Sequence, residues 1–164
     1  MGDATNIRGD GRMPRKTQIR EFVKKLTLFD DVLFRKSAED LEFCQEYIGV
    51  CLDDPDVVVL KNLPQNEMLN FQGRSAVVDL LCQLGDGRKS IVEVQKDDTK
   101  DHLRAARYHT ALLTVNTTDP GADFANIPNI ILIYVTKFDL FKINKVKCLV
   151  KRTLLDSGQA VDDG

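Results

Sequence analysis

Two carboxylates and an amide, Asp79, Glu93 and Gln95, stand where a short β-hairpin would bring them together. The runs from Ser75 to Leu84 and from Lys89 to Gln95 are rich in β-formers and flank Gly85-Asp86-Gly87, a turn sequence. With a three-residue loop, Leu84 faces Arg88 and the numbers of facing residues sum to 172. Asp79 then opposes Glu93, and Val77 opposes Gln95. Directly opposed residues point to one side of the sheet, with Cβ atoms about 4.5–5.5 Å apart. One face therefore carries Val77, Asp79, Leu81, Ile91, Glu93 and Gln95. The other carries Ala76, Val78, Leu80, Cys82, Val92 and Val94 and is wholly apolar, so it reads as core. A two-residue loop would send Glu93 to the other side and break that apolar face, which argues against it. Two acids on an apolar surface repel each other and lose solvation; they retain a proton or share a cation. Mg²⁺ is held by one or two carboxylates with water and phosphate oxygens, so the ligand count fits, and such a metal polarises a phosphodiester. For a single strand acid, facing solvent is the commoner fate. The pair, with Gln95 beside it, is what points to chemistry.

The elements needed to position these residues are legible in outline. The chain has 164 residues, 43% hydrophobic and 29% charged, enough for one soluble domain. Its net charge of −2 excludes a uniformly basic nucleic-acid-binding body, so any polynucleotide contact must be local. Residues 1–17 read as a loose basic arm and 156–164 as a polar tail, leaving 18–155 as the domain. Residues 27–36 predict a short helix and 37–52 a second, capped by Ser37 and stopped at Asp53-Asp54-Pro55. Val57 to Leu60 is a short strand, 61–73 a loop, and 75–95 the hairpin. Residues 99–115 form a helix with Thr99 as N-cap and Leu103, Ala106, Thr110 and Leu113 on one face. The apolar run 127–135 suits a strand buried on both faces, with a further strand at 145–151. The order α, β, β, β, α, β gives an α/β fold, a mixed β-sheet flanked by helices.

Cys44, Cys51, Cys82 and Cys148 show no CxxC spacing and read as thiols of a reduced, cytoplasmic protein. No apolar run of membrane-spanning length occurs. His102 and His109 share a helical face, but without nearby cysteines they make no zinc site; a packing role is expected. Lys100, Arg104 and Arg107 recur at i, i+4 and i+7, a stripe able to contact DNA phosphates or simply a solvated face.

An acid in one strand, a turn, and then Glu-x-Gln before a helix resembles the PD-(D/E)XK nuclease superfamily. The likeness extends over roughly residues 26–150, through Leu28-Phe29-Asp30-Asp31-Val32-Leu33-Phe34-Arg35-Lys36, Glu42-Phe43-Cys44, Leu52-Asp53-Asp54-Pro55, Gly73-Arg74-Ser75, Val78-Asp79, Glu93-Val94-Gln95-Lys96 and Arg107-Tyr108. That set looks like the bacterial Rpn-type recombination-promoting nucleases and PD-(D/E)XK family transposases. The resemblance implies a restriction-endonuclease-like core and an endonuclease hydrolysing DNA with Mg²⁺ or Mn²⁺. Asp79 and Glu93 would be metal ligands, and Asp31 would add a metal or water contact. Gln95 would stand where the superfamily places a lysine. Lys96 should point to the opposite side in a regular strand and so be a poor substitute. A homodimer is allowed, and the chain ends earlier than the relatives it resembles. An inactive nucleic-acid-binding module and a truncated mobile-element remnant stand as the alternatives.

Overall fold

The computed structural model describes residues 15–162; most of the basic arm lies outside them. Helix α1 (Arg15–Val23) buries no side chain, in keeping with its polar composition. Helices α2 (Asp31–Ser37) and α3 (Leu41–Leu52) precede strands β1 (Val59–Met68), β2 (Ala76–Leu84) and β3 (Lys89–Gln95). Helix α4 (His102–Asn116), a short 3₁₀ turn at Phe124–Asn126 and strand β4 (Ile130–Thr136) complete the order. The sheet runs β1-β2-β3-β4, with β1, β2 and β3 antiparallel in turn and β4 parallel to β3. This is the mixed α/β sheet with flanking helices that the hydrophobic pattern calls for. No helix among the described residues is long and apolar enough to cross a membrane.

Several boundaries move for local reasons. Helix α3 is capped by Asp40 rather than Ser37, its carboxylate accepting from the Glu42 and Phe43 amides at 2.9 and 3.1 Å. The helix ends at Asp53, in left-handed conformation. Strand β1 runs on through residues expected to loop, Pro64 included. It is an edge strand, where a missing N–H is tolerated. Thr99 is not the cap of α4; its amide N–H donates to His102 Nε2 at 2.9 Å, and His102 Nδ1 lies 2.8 Å from the Tyr134 hydroxyl. The Nε2 atom is therefore the unprotonated one, and His102 has the packing role its position indicated. Of the expected face of α4, Leu113 is buried and Ala106 and Thr110 are half-buried, but Leu103 is exposed; the helix also turns His102 and Leu112 inward. No strand forms at 145–151; Val146, Leu149 and Val150 are exposed and find no partner strand among the described residues.

Two apolar clusters sandwich the sheet. Against α2 and α3 lie Leu80, Cys82, Leu84, Val92 and Ile133, packed on Phe34, Cys44 and Ile48. Against α4 lie Met68, Val78 and Ile91, packed on Leu112 and Leu113. Strand β4 is half-buried, not deeply buried: Ile131 and Val135 reach the first cluster and Ile130 and Leu132 the second. Cys44 and Cys82 are buried, Cys148 is exposed, and the cysteines are free thiols.

Candidate functional site

The hairpin forms in the register that its turn demands. Leu80 pairs with Val92, Leu81 with Ile91, Cys82 with Ser90 and Gln83 with Lys89. Gly87 takes φ +90, a conformation glycine adopts without a Cβ penalty, and the Leu84 amide donates to the Arg88 carbonyl at 2.9 Å. The ladder stops at Leu80 and Val92. One residue further, the Asp79 side chain replaces the missing backbone partner: its Oδ2 accepts from the Val94 amide at 2.8 Å. Asp79 thus sits where β2 leaves β3.

The same point breaks the alternation of β2, and this corrects the simple two-face reading. In β1 and β2, Pro64 pairs with Leu80 and Asn66 with Val78, while Gln65 and Asp79 between them form no rung. Gln65 is in left-handed conformation, φ 52. On one side of this point Leu80 and Cys82 face α2 and α3, and the Asn62 amide donates to the Ala38 carbonyl at 2.7 Å. On the other side the residues of the same parity, Met68, Ala76 and Val78, pack toward α4. Ala76 and Val78 therefore do not share a core with Leu80. A regular strand cannot change faces in this way, and the left-handed residue lets it. The Gln65 amide donates to Asp79 Oδ1 at 3.3 Å, so both oxygens of this carboxylate are engaged.

Asp79 looks into a recess of about 10 Å³ lined also by Asp31, Leu28, Phe34, Gln65 and Val94, roughly the room one water needs. The recess adjoins an open groove of about 620 Å³ whose walls include Asp31, Arg35, Lys36, Asp79 and Gln95. Helix α2 supplies Asp31 and Arg35 one turn apart. An anchor holds that helix near the end of β3: Asp30 accepts from the Thr27 amide at 2.8 Å and from Lys96 Nζ at 3.0 Å. The Thr27 amide and then Lys96 hold the Asp30 carboxyl down at about 2, and Asp30 in turn raises the Lys96 ammonium. Lys96 is thus engaged by Asp30 at the start of α2, the helix that lines the groove with Gln95, and does not point to the opposite side as a regular strand would have it.

Glu93 is placed differently. It is 3% exposed and does not line the groove. His109 of α4 stands with Nδ1 2.7 Å from Glu93 Oε1, yet neither atom makes a directed hydrogen bond. Burial raises the Asp79 and Glu93 carboxyls above their ordinary range. The bonds from Val94 and Gln65 oppose this at Asp79, the proximity of the His109 ring opposes it at Glu93, and the charge of Asp79 adds to the rise at Glu93. The two acids feel each other without sharing one open face, and among the described residues no three acids, histidines or cysteines form a ready-made cage. A hard cation held through few protein oxygens still fits, since Asp31 and Asp79 share the recess and Glu93 carries a buried oxygen with no directed donor.

Of the sequence candidates, Asp31, Asp79 and Gln95 come together and Glu93 lies behind them. The exposed Lys100, Arg104 and Arg107 do not line the groove. Sequence reasoning assigned no role to Gln65 or Arg35 and gave His109 only a packing role. Arg35 lies within the motif running from Leu28 to Lys36, whereas nothing at Gln65 announces a left-handed residue in mid-strand. Gln65→Gly should stay within about 1 kcal/mol of wild type, because relief of the left-handed strain offsets the flexibility of glycine. Gln65→Ala should lose about 1 kcal/mol more than the glycine variant, since it keeps the strain. Urea denaturation of both variants measures this, and an alanine variant as stable as the glycine one would contradict it. No family model, curated protein or solved structure matches this chain.

Proposed function

We propose that this protein is a DNA endonuclease that hydrolyses phosphodiester bonds with bound Mg²⁺ or Mn²⁺ in the groove beside α2. The observation that carries the reading is Asp79 at the divergence of β2 and β3, sharing a recess with Asp31 while Gln95 lines the same groove. The ordered motifs that resemble PD-(D/E)XK nucleases support it, and the recombination or transposase setting rests on them alone. Asp31 and Asp79 would hold the cation, with Glu93 joining them once free of His109. When bound, the cation supplies Lewis acidity to the phosphodiester and lowers the pKa of a water. Gln95 can offer hydrogen bonds to groups in the groove but no positive charge, so turnover should be slower than with a lysine there. Arg35 and Lys36 place positive charge on the groove wall, where phosphates of a bound strand would lie.

A second reading, a nucleic-acid-binding module without turnover, is favoured by two features: Gln95 in place of a lysine, and Glu93 turned toward His109. Supercoiled-plasmid nicking separates the two. Wild type should nick with Mg²⁺, stop with EDTA, and lose about 100-fold or more in Glu93→Ala. A folded wild type that binds DNA yet leaves the plasmid intact in Mg²⁺ and Mn²⁺ would establish the binding module instead.

A further inference from the structure

Glu93 combines three properties that a purely structural side chain rarely combines. It is almost fully buried, its Oε1 has no directed donor among the described residues, and against that oxygen stands a histidine whose Nδ1 has no directed partner there either. Buried polar atoms are normally hydrogen-bonded, because leaving one unmade costs about 1–3 kcal/mol. Here a strand from the sheet and a helix packed on it bring two such atoms to 2.7 Å without aligning them. The pair lies beside the metal-binding candidates and outside the groove: Glu93 is two residues from Gln95, which lines it, and near enough to Asp79 for its charge to be felt. His109 has no aligned hydrogen bond to lose on parting from Glu93. A divalent cation offers the carboxylate far stronger compensation.

We propose that His109 is a positioning residue that holds Glu93 in a resting arrangement, and that Glu93 exchanges His109 for the cation when the metal site fills. This rests on the metal-dependent reading above. The exchange makes the histidine a competitor of the metal for one carboxylate, and that fixes the sign of its effect. An ordinary supporting partner of a metal ligand increases affinity, and its loss costs about 10–100-fold. Loss of a competitor does the reverse.

The chain has two histidines, so the ring-nitrogen NMR spectrum is simple, and His102, bonded to Thr99 and Tyr134, is an internal reference. Titrating Mg²⁺ into the full-length protein at constant pH should shift the His109 ring nitrogens and leave those of His102 in place. Asp79→Asn should suppress the shift. In calorimetry, His109→Gln should bind Mg²⁺ about 5–10-fold more tightly than wild type. Weaker binding by His109→Gln would make the histidine a supporting partner and overturn the proposal. Mg²⁺ binding that depends on Asp79 but leaves the His109 resonances unmoved would overturn it too, while sparing the metal-dependent reading. A folded wild type that binds no Mg²⁺ at millimolar concentrations would remove both. The wild-type titration decides the question even where the variant fails to fold.

Discussion

Asp79→Asn should abolish metal-dependent nicking, by about 100-fold or more, and at the same time make the protein more stable. The two effects have one origin. Asp79 is a carboxylate desolvated where the β2–β3 ladder ends, near the charges of Asp31 and Glu93. Asparagine keeps the shape and can still accept from the Val94 amide through its carbonyl, but it carries no charge. The gain should be about 1 kcal/mol, typical of a stabilising single substitution, or about 2–4 °C in Tm for a chain of this size.

The direction of the pH dependence follows from the same burial. The carboxyls of Asp79 and Glu93 are raised, so the folded state holds their protons more tightly than the unfolded chain does. The stability this contributes is complete below the unfolded values, 3.8 and 4.5, and is lost as pH rises through the folded ones. Metal-free wild type should therefore gain stability from these groups as pH falls from neutral through their raised folded-state values, and Asp79→Asn should gain less. Asp30 acts in the opposite sense, but only between its unfolded value of 3.8 and its folded value of about 2, below that window. Saturating Mg²⁺ should raise the wild-type Tm and weaken the acid-side gain, because binding requires the ionised carboxylates. A Tm that falls in Asp79→Asn would contradict the account of a desolvated carboxylate. Nicking that survives the substitution would contradict the proposed function.

The largest loss of stability is expected from Leu80→Ala, about 3 kcal/mol and within the 2–5 found for buried leucines. Leu80 is fully buried, packs against α2 and α3, and pairs with Val92 on the last rung before β2 and β3 part. Its truncation leaves a cavity in the cluster against α2 and α3. The exposed Val77→Ala should change stability by no more than about 0.5 kcal/mol. The pair Val78→Ala and Leu80→Ala tests the break in alternation. The two residues belong to clusters on opposite faces of the sheet and share no core partner, so their effects in urea denaturation should add within about 0.5 kcal/mol. Strong coupling between them would mean that both face one core, as a regular strand would have it.

What the sequence determined by itself was local. Gly85-Asp86-Gly87 between two runs of β-formers specified the hairpin register, because a turn of given length allows one pairing and a slip would have exposed a whole apolar face. In the sequence of α3, Leu41, Cys44, Tyr47 or Ile48, and Cys51 recur at helical spacing as one apolar stripe, and this marks the buried face although Leu41 at its start is exposed. Asp79, Glu93 and Gln95 were legible as candidates through that same register. Tertiary structure decided what depends on partners far along the chain. Strand β1 extends through Pro64 because β2 is there to pair with one of its edges, whatever the propensities of residues 61–68. The faces of β2 exchange at Asp79 because Gln65, fourteen positions earlier, adopts a left-handed conformation that no residue type announces. Glu93 turns to α4 because the packing of Leu112 and Leu113 on the sheet brings His109 to it. A period of two or 3.6 residues says which side of an element is apolar. It does not say which element will cover that side, and the candidate site is built from those encounters.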